Sequence, residues 1–418
     1  MSSGVFYAGW VPTSQDRTVP RIPACTAASE FWQKYVAARR PALLDGLPTD
    51  EGFQADRWTN LAYLREQAGH ANVRVEQRQD LQQPFGRFRH GSVAKMSFGD
   101  FLSQIQGGSE LLYLTTQEME FDVTGHPSIL CEPVKSLQQD VPLRPRIMGH
   151  LIPMGINLWL GNSQSGSSSR LHHDYHDNLY VLLRGRKRFR LFPPSCAPFM
   201  YTNGSVAMVH ANGRVCYEGL LTRADGATEG AVLFGIPTAL RLEREESHRC
   251  SVAEHGTGAH GTQQEAQSLN FCAVNLSSPP ALRNFNFPLF AKAAPLCLEV
   301  EVEAGQCLYM PAGWFHEVTS WSIDGDACHC ALNYWFHPPD NLSGSLTHPY
   351  TSSFWSDDLE SRSLCLDFAD KIRKARQLRQ LVRMKRHGRK KIFRKAWAKL
   401  CRILRFKICR KTKRVYMR

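Results

Sequence analysis

Residues 171–194 read LHHDYHDNLYVLLRGRKRFRLFPP, and the reading of this stretch decides the fold. NLYVLL (178–183) and RFRLF (188–192) flank the turn-like RGRK, and Pro193-Pro194 closes the second run. Both runs are short and rich in apolar and aromatic residues, so they predict two strands around a tight turn. The polar start carries the chemistry. Residues i and i+2 of an extended strand share a face. His172 and Asp174 therefore project together, with His173 on the other side.

An imidazole beside a carboxylate needs one more donor to grip a cation facially. PAGWFH (311–316) supplies His316 in another strand-like segment far along the chain. Two histidines and one carboxylate leave coordination positions open. That is the pattern of non-haem Fe(II) oxygenases, whose open positions take a chelating co-substrate and dioxygen. A bare HxD is common, and the chain holds 16 histidines. At the level of residues alone, His173 and His176 compete for the same role.

Working outward, INLWLG (156–161) predicts a strand that ends in the Gly/Ser-rich NSQSGSSS. CLEVEV (297–302), QCLYMP (306–311), WFHEVTSW (314–321) and HCALNYWF (329–336) predict four more. Many short strands at close spacing indicate a sandwich or barrel. Upstream, 26–47 predicts a short helix capped by Thr26 or Ser29 and then a strand. NVRVEQ (72–77) and LLYLTT (111–116) predict strands, and MSFGDFLSQI (96–105) a helix. An insertion of about 195–283 separates the two β-rich blocks. Its polar, Gly-rich stretch 251–268 is expected to be mobile.

Composition narrows the class. Of 418 residues, 43% are hydrophobic and 21% charged, enough to bury a core. No apolar run is long enough for a membrane span, and MSSGVFYAGW lacks the pattern of a secretory signal. The 13 cysteines form no CxxC pair, which argues for reduced thiols over a disulfide frame or a zinc site. Cys328 and Cys330, in CHC, read as two buried thiols. Residues 371–418 contain 22 Lys and Arg and no acid, which leaves 1–370 at a net −9 within a total of +13.

The stretch 171–194, together with FPLFAKAAPLCLEVEVEAGQCLYMPAGWFHEVTSW and ALNYWF further on, resembles the core of the JmjC proteins in the cupin superfamily. The resemblance spans about 104–340 apart from the insertion, and EFWQKYVAARRPALLDG resembles the usual lead-in. Within the family it is most similar to the small JmjC hydroxylases. It implies a mostly β fold with flanking helices and a double-stranded β-helix (jelly-roll, cupin-like) core. The implied organisation is a mixed α/β lead-in over 1–103, a catalytic domain over 104–345, a linker over 346–370 and the basic tail.

The resemblance also implies Fe(II) on His172, Asp174 and His316, with 2-oxoglutarate as co-substrate and dioxygen as oxidant. Lys187 matches the lysine that pairs with the distal carboxylate of 2-oxoglutarate. Tyr113 and Ser169 match hydroxyls that bind the same carboxylate, and Asn178 and Asn333 match polar pocket positions. Physics is compatible, since a buried dicarboxylate needs a cation and neutral donors to replace water. Strand alternation sets Lys187 opposite Arg186 and Arg188, although Arg184 and Arg190 also compete as the inward cation. The implied activity is a dioxygenase that hydroxylates a protein side chain. Demethylation of histone N-methyl groups, hydroxylation of a modified tRNA base and a non-enzymatic cupin-fold binding role are the alternatives.

In 385–414, Phe393, Trp397, Leu400 and Leu404 recur at helical spacing among Lys and Arg. The spacing fits an amphipathic helix with a nucleic-acid, nuclear-targeting, anionic-membrane or acidic-protein partner, and the competing reading is a solvated disordered tail. The remaining expectations are a protein or peptide substrate, no transmembrane segment, a homodimer as one admissible assembly, and an intracellular setting in nucleus or cytoplasm.

Overall fold

The computed structural model describes residues 4–86, 92–118, 120, 128–228, 268–323 and 328–360. Seven strands precede the insertion's flank of the site: β1 (Gly4–Val5), β2 (Arg21–Pro23), β3 (Ala42–Asp45), β4 (Asn72–Gln77), β5 (Ser92–Ser97), β6 (Leu112–Leu114) and β7 (Pro153–Gly161). The stretch that decided the fold supplies β9 (His172–His173), β10 (Asp177–Arg184) and β11 (Arg186–Phe192), just after the short β8 (Ser167–Ser168). The insertion adds β12 (Val206–Val209) and β13 (Val215–Tyr217). The chain then completes the barrel with β14 (Leu298–Glu303), β15 (Gln306–Met310), β16 (Phe315–Trp321) and β17 (His329–Phe336).

Strand order explains the architecture. The nine-stranded sheet runs β2-β3-β15-β10-β17-β7-β6-β4-β5, and the second runs β14-β11-β16-β8, with β9 also on β16. Consecutive strands alternate between sheets: β10 to β11, β14 to β15, and β16 to β17. This is the jelly-roll core. Its two sheets meet through Tyr180, Leu182, Phe189, Leu191, Val300, Leu308 and Ala331, all buried in one apolar cluster. On β14 the sequence LEVEVE is buried at every second residue, the period-2 signature of a half-covered strand.

The sequence expectation of two strands around a tight turn needs a correction. Strands β10 and β11 form as expected, but they are not hairpin partners. Strand β10 pairs with β15 and β17, whereas β11 pairs with β14 and β16. Gly185 turns the chain from one sheet to the other at φ 89°. A Cβ there would lie 2.6 Å from both His329 Cβ and the Trp321 carbonyl, so only glycine makes this corner.

The first 103 residues are not a separate layer, because β2 to β5 extend the nine-stranded sheet. The helix near residue 26 begins after Ala27, which gives no side-chain cap. Thr26 Oγ1 instead donates to the Pro23 carbonyl (2.6 Å). The helix expected from 96 spans Phe98–Gln106, with Ser97 accepting from the Asp100 amide. Arg39 and Asp177, both fully buried, form an ion pair at 2.5 Å. Asp177 also accepts from Tyr309 Oη (2.7 Å) and the Ala312 amide (2.9 Å). A buried pair of this kind specifies geometry more than it adds stability; here it fixes the corner leading to His316.

Residues 1–355 form one compact unit. Residues 346–355, expected as the start of a linker, are packed: Trp355 is buried, its ring stacks on His337, and its Nε1 donates to the Asp225 carbonyl (2.9 Å). Cys328 and Cys330 are buried, reduced thiols. The tail 371–418 and most of 251–268 lie outside the described residues, as does the expected helix over 385–414. Among the described residues no helix is long and apolar enough to cross a membrane.

Candidate metal and co-substrate site

Strand β9 lies antiparallel to β16 with His172 opposite His316, which brings two distant imidazoles side by side. Their ring centroids are 4.3 Å apart. Asp174 follows one residue past β9 and points the same way as His172. One ligand atom from each of the three lies within 4.8 Å of the others, and His316 Nε2 is 3.8 Å from Asp174 Oδ2. Each imidazole is steered from behind. His172 Nδ1 meets the Arg170 carbonyl and His316 Nδ1 the Trp314 carbonyl, both at 2.9 Å. A carbonyl only accepts, so Nδ1 carries the proton and Nε2 keeps its lone pair for a cation.

The carboxylate is held as firmly. Asp174 Oδ2 accepts from Asn178 Nδ2 and Trp335 Nε1, each at 3.3 Å, and the Asp174 carbonyl accepts from the Gly313 amide (2.9 Å). Burial, then the neighbouring His316, pulls His172 down to about 4. Burial alone would raise the Asp174 carboxyl, but His316 and His172 outweigh it and lower its pKa. A neutral His172 beside an ionised Asp174 matches the protonation states a metal requires.

The two competing histidines are elsewhere. His173 is fully buried on the opposite face, with Nε2 2.7 Å from Tyr217 Oη. The His176 ring packs against Trp335 and His337 at 6.0 and 5.6 Å. Neither joins the group.

A cleft enclosing about 70 Å³, open at its mouth, runs from the triad into the barrel. Lys187, Tyr113, Ser169 and Asn178 all line it. Lys187 is completely buried, and among the described residues its ammonium has one hydrogen bond, to Ser320 Oγ (2.9 Å). Its charge also lies 5.7 and 5.6 Å from the Tyr113 and Tyr180 ring centres. The competing arginines point outward: Arg186 and Arg188 lie over Trp321, Arg190 pairs with Glu317, and Arg184 donates to the Thr59 carbonyl. Burial pulls the Lys187 ammonium down to about 7.

Ser169 Oγ accepts from the Val318 amide (3.1 Å). Asn333 is one step back from the cleft. Its Nδ2 donates to Asn178 Oδ1 (3.1 Å), while its Oδ1 accepts from Trp159 Nε1 (2.9 Å) and Asn157 Nδ2 (3.1 Å). It steadies a lining residue instead of lining the cleft itself.

Sequence reasoning missed Trp335, Trp159, Phe85, Ser320 and Phe271. Trp335 had a signal, because it shares strand parity with Asn333 on β17. Phe85 and Phe271 had none, since each reaches the site from a loop.

Comparison with known proteins follows the same lines. A family model of the cupin-like domain matches residues 28–342. The JmjC domain-containing protein 4 of Schizosaccharomyces pombe is 30% identical, over 84% of this chain and 91% of that protein. The human bifunctional peptidase and (3S)-lysyl hydroxylase JMJD7 is 24% identical, over 76% of this chain and 84% of its own. The lysine-specific demethylase JMJ32 of Arabidopsis thaliana is 27% identical over 44% of this chain and 42% of its own. A family match that runs through both halves of the barrel, joined to a relative aligned along most of both chains, places this chain in the JmjC-domain family of cupin-like proteins.

Proposed function

We propose that the chain is an Fe(II)- and 2-oxoglutarate-dependent dioxygenase that hydroxylates a protein side chain. One observation carries this reading: a single cleft has two imidazoles and a carboxylate at one end and, at the other, a buried lysine with no anionic partner among the described residues. The donor set suits a divalent iron that keeps open positions. A buried ammonium is costly unless an anion meets it, and a dicarboxylate that also reaches the metal supplies that anion.

His172, Asp174 and His316 would hold the metal. Lys187, Tyr113, Ser169 and Asn178 would hold the co-substrate, with Asn333 steadying Asn178. Bound Fe(II) with 2-oxoglutarate and dioxygen supplies oxidation of an unactivated C–H bond. The protein's own part is geometric. The Arg170 and Trp314 carbonyls fix the imidazole tautomers, while Asn178 and Trp335 orient the Asp174 carboxylate. Phe85, Trp159, Phe189 and Met310 give the cleft apolar walls that exclude water.

Protein hydroxylation is preferred because the human lysyl hydroxylase aligns with most of this chain, whereas the plant demethylase aligns with less than half. The test is a turnover screen with Fe(II) and 2-oxoglutarate against peptide, histone and tRNA pools. Succinate formation with gain of one oxygen on a peptide is expected. Loss of a methyl group as formaldehyde would move the reading to demethylation. Succinate no higher than with an Asp174→Ala variant in every pool would overturn the oxygenase reading.

A further inference from the structure

The chain that returns from the insertion is built into the candidate centre. Residues 270–272 run beside 171–173 on the edge that β16 leaves open. The Cys272 amide donates to the Leu171 carbonyl (2.9 Å), the His173 amide to the Asn270 carbonyl (3.2 Å), and Asn270 Nδ2 to the His173 carbonyl (2.6 Å). His172 is thus bracketed at one register, by His316 on β16 and by Phe271 on the returning segment. Directly opposed residues on neighbouring strands share a face, so the three rings stand in a row. The Phe271 ring lies flat on His172, with centroids 4.8 Å apart and planes at 11°.

Phe271 is itself held from behind. Gly86, at φ 85°, approaches so closely that a Cβ there would meet the Phe271 ring at 3.0 Å and the Ser169 carbonyl at 2.9 Å. The Arg170 guanidinium sits 5.8 Å from the same ring and donates to the Cys272 carbonyl (3.3 Å). Arg170 adopts φ 62°, a conformation uncommon for a side-chain-bearing residue. Its carbonyl is the one that receives His172 Nδ1. Phe271 itself is only half-buried, while its neighbour Cys272 belongs to the apolar core. Core packing alone does not account for where its ring points.

We infer that Phe271 is a positioning residue of the metal centre, fixing the plane of the His172 imidazole and screening that ligand from water. The inference rests on the reading of His172 as a metal ligand. One hydrogen bond through Nδ1 leaves the ring free to swing about that contact, whereas a stacked face removes the remaining freedom. A ring ordered in advance loses less entropy when the metal binds. Groups behind a metal ligand typically change metal affinity by about 10- to 100-fold.

The experiment titrates Co(II) into the full chain without oxygen and reads the visible absorption band. Wild type, F271A, F271L, F271Y and D174A are compared, with melting of each metal-free protein. F271A is expected to bind Co(II) about tenfold more weakly or worse, with an altered band and nearly unchanged melting. F271Y, which can restore the stack, should recover both affinity and band. Wild-type affinity and band in F271A would overturn the inference. If F271A melts early, the pair F271L and F271Y decides: weak binding by F271L with strong binding by F271Y supports the inference, and equal behaviour overturns it. A wild type that does not bind Co(II), or a D174A variant that binds as tightly as wild type, would instead sink the metal reading beneath it.

Discussion

The two sides of His172 are built from different kinds of chain. On one side is β16, a barrel strand whose His316, Val318 and Ser320 line the cleft. On the other is the 270–272 segment, an irregular return from an insertion, which touches 171–173 at a single register. The barrel side supplies chemistry: His316, and through β11 the buried Lys187. The insertion side supplies surroundings: Phe271 on His172, and Tyr217 on His173. Adjacent residues of HHD therefore serve different masters. His172 faces the candidate metal site and His173 faces the insertion.

The largest effect should come from breaking that division at the motif itself. His172→Ala should abolish metal binding and succinate formation. His173→Phe should retain metal binding while lowering stability by about 1 kcal/mol, because the buried hydrogen bond to Tyr217 Oη is lost. Metal titration beside chemical denaturation checks both. Equal loss of metal in the two variants would erase the contrast.

Lys187→Ala comes next, with 2-oxoglutarate binding weakened on the order of 100-fold from loss of a buried charge partner. The pH dependence follows from the sign of the shift. With burial holding the Lys187 ammonium at about 7, the amine is mostly neutral at pH 8, yet the dicarboxylate needs it charged. Binding should therefore take up a proton at pH 8 and almost none at pH 6. Affinity should fall as pH rises past 7, by up to about tenfold per unit. Calorimetry in buffers of different ionisation heat reads the uptake, and heats that do not vary with buffer at pH 8 would count against the assignment.

The smallest effect is expected on the insertion side. Tyr217→Phe removes one hydrogen bond and should cost about 1 kcal/mol in a denaturation curve, with metal affinity unchanged.

These contrasts also mark what could be read without coordinates. The barrel strands were legible as short apolar runs between turn residues, and β14 and β11 also alternate between buried and less buried positions. Lys187 was legible as inward-facing for the same reason, although its arginine neighbours were excluded only by what they touch. The pairing of β10 and β11 was misread because a tight turn looks alike whether the next strand stays in the sheet or crosses to the other. Asn333 lay on the right face but one step too far from the cleft, a distance that periodicity does not encode. Phe271 left no local trace: its contact with His172 joins residues about a hundred positions apart, and neither segment is regular. The insertion read only as a break between the β-rich blocks, yet its returning residues 270–272 pair with the site's own strand.

The central claim is that one cleft binds a metal at His172, Asp174 and His316 and a dicarboxylate between that metal and Lys187. The most direct measurement is calorimetric titration of 2-oxoglutarate, without oxygen, into the full chain with and without bound divalent metal, in wild type and Lys187→Ala. The account predicts one site per chain, tight only when the metal and Lys187 are both present. Binding of equal strength to the metal-free protein, or to the Lys187→Ala variant, would contradict it.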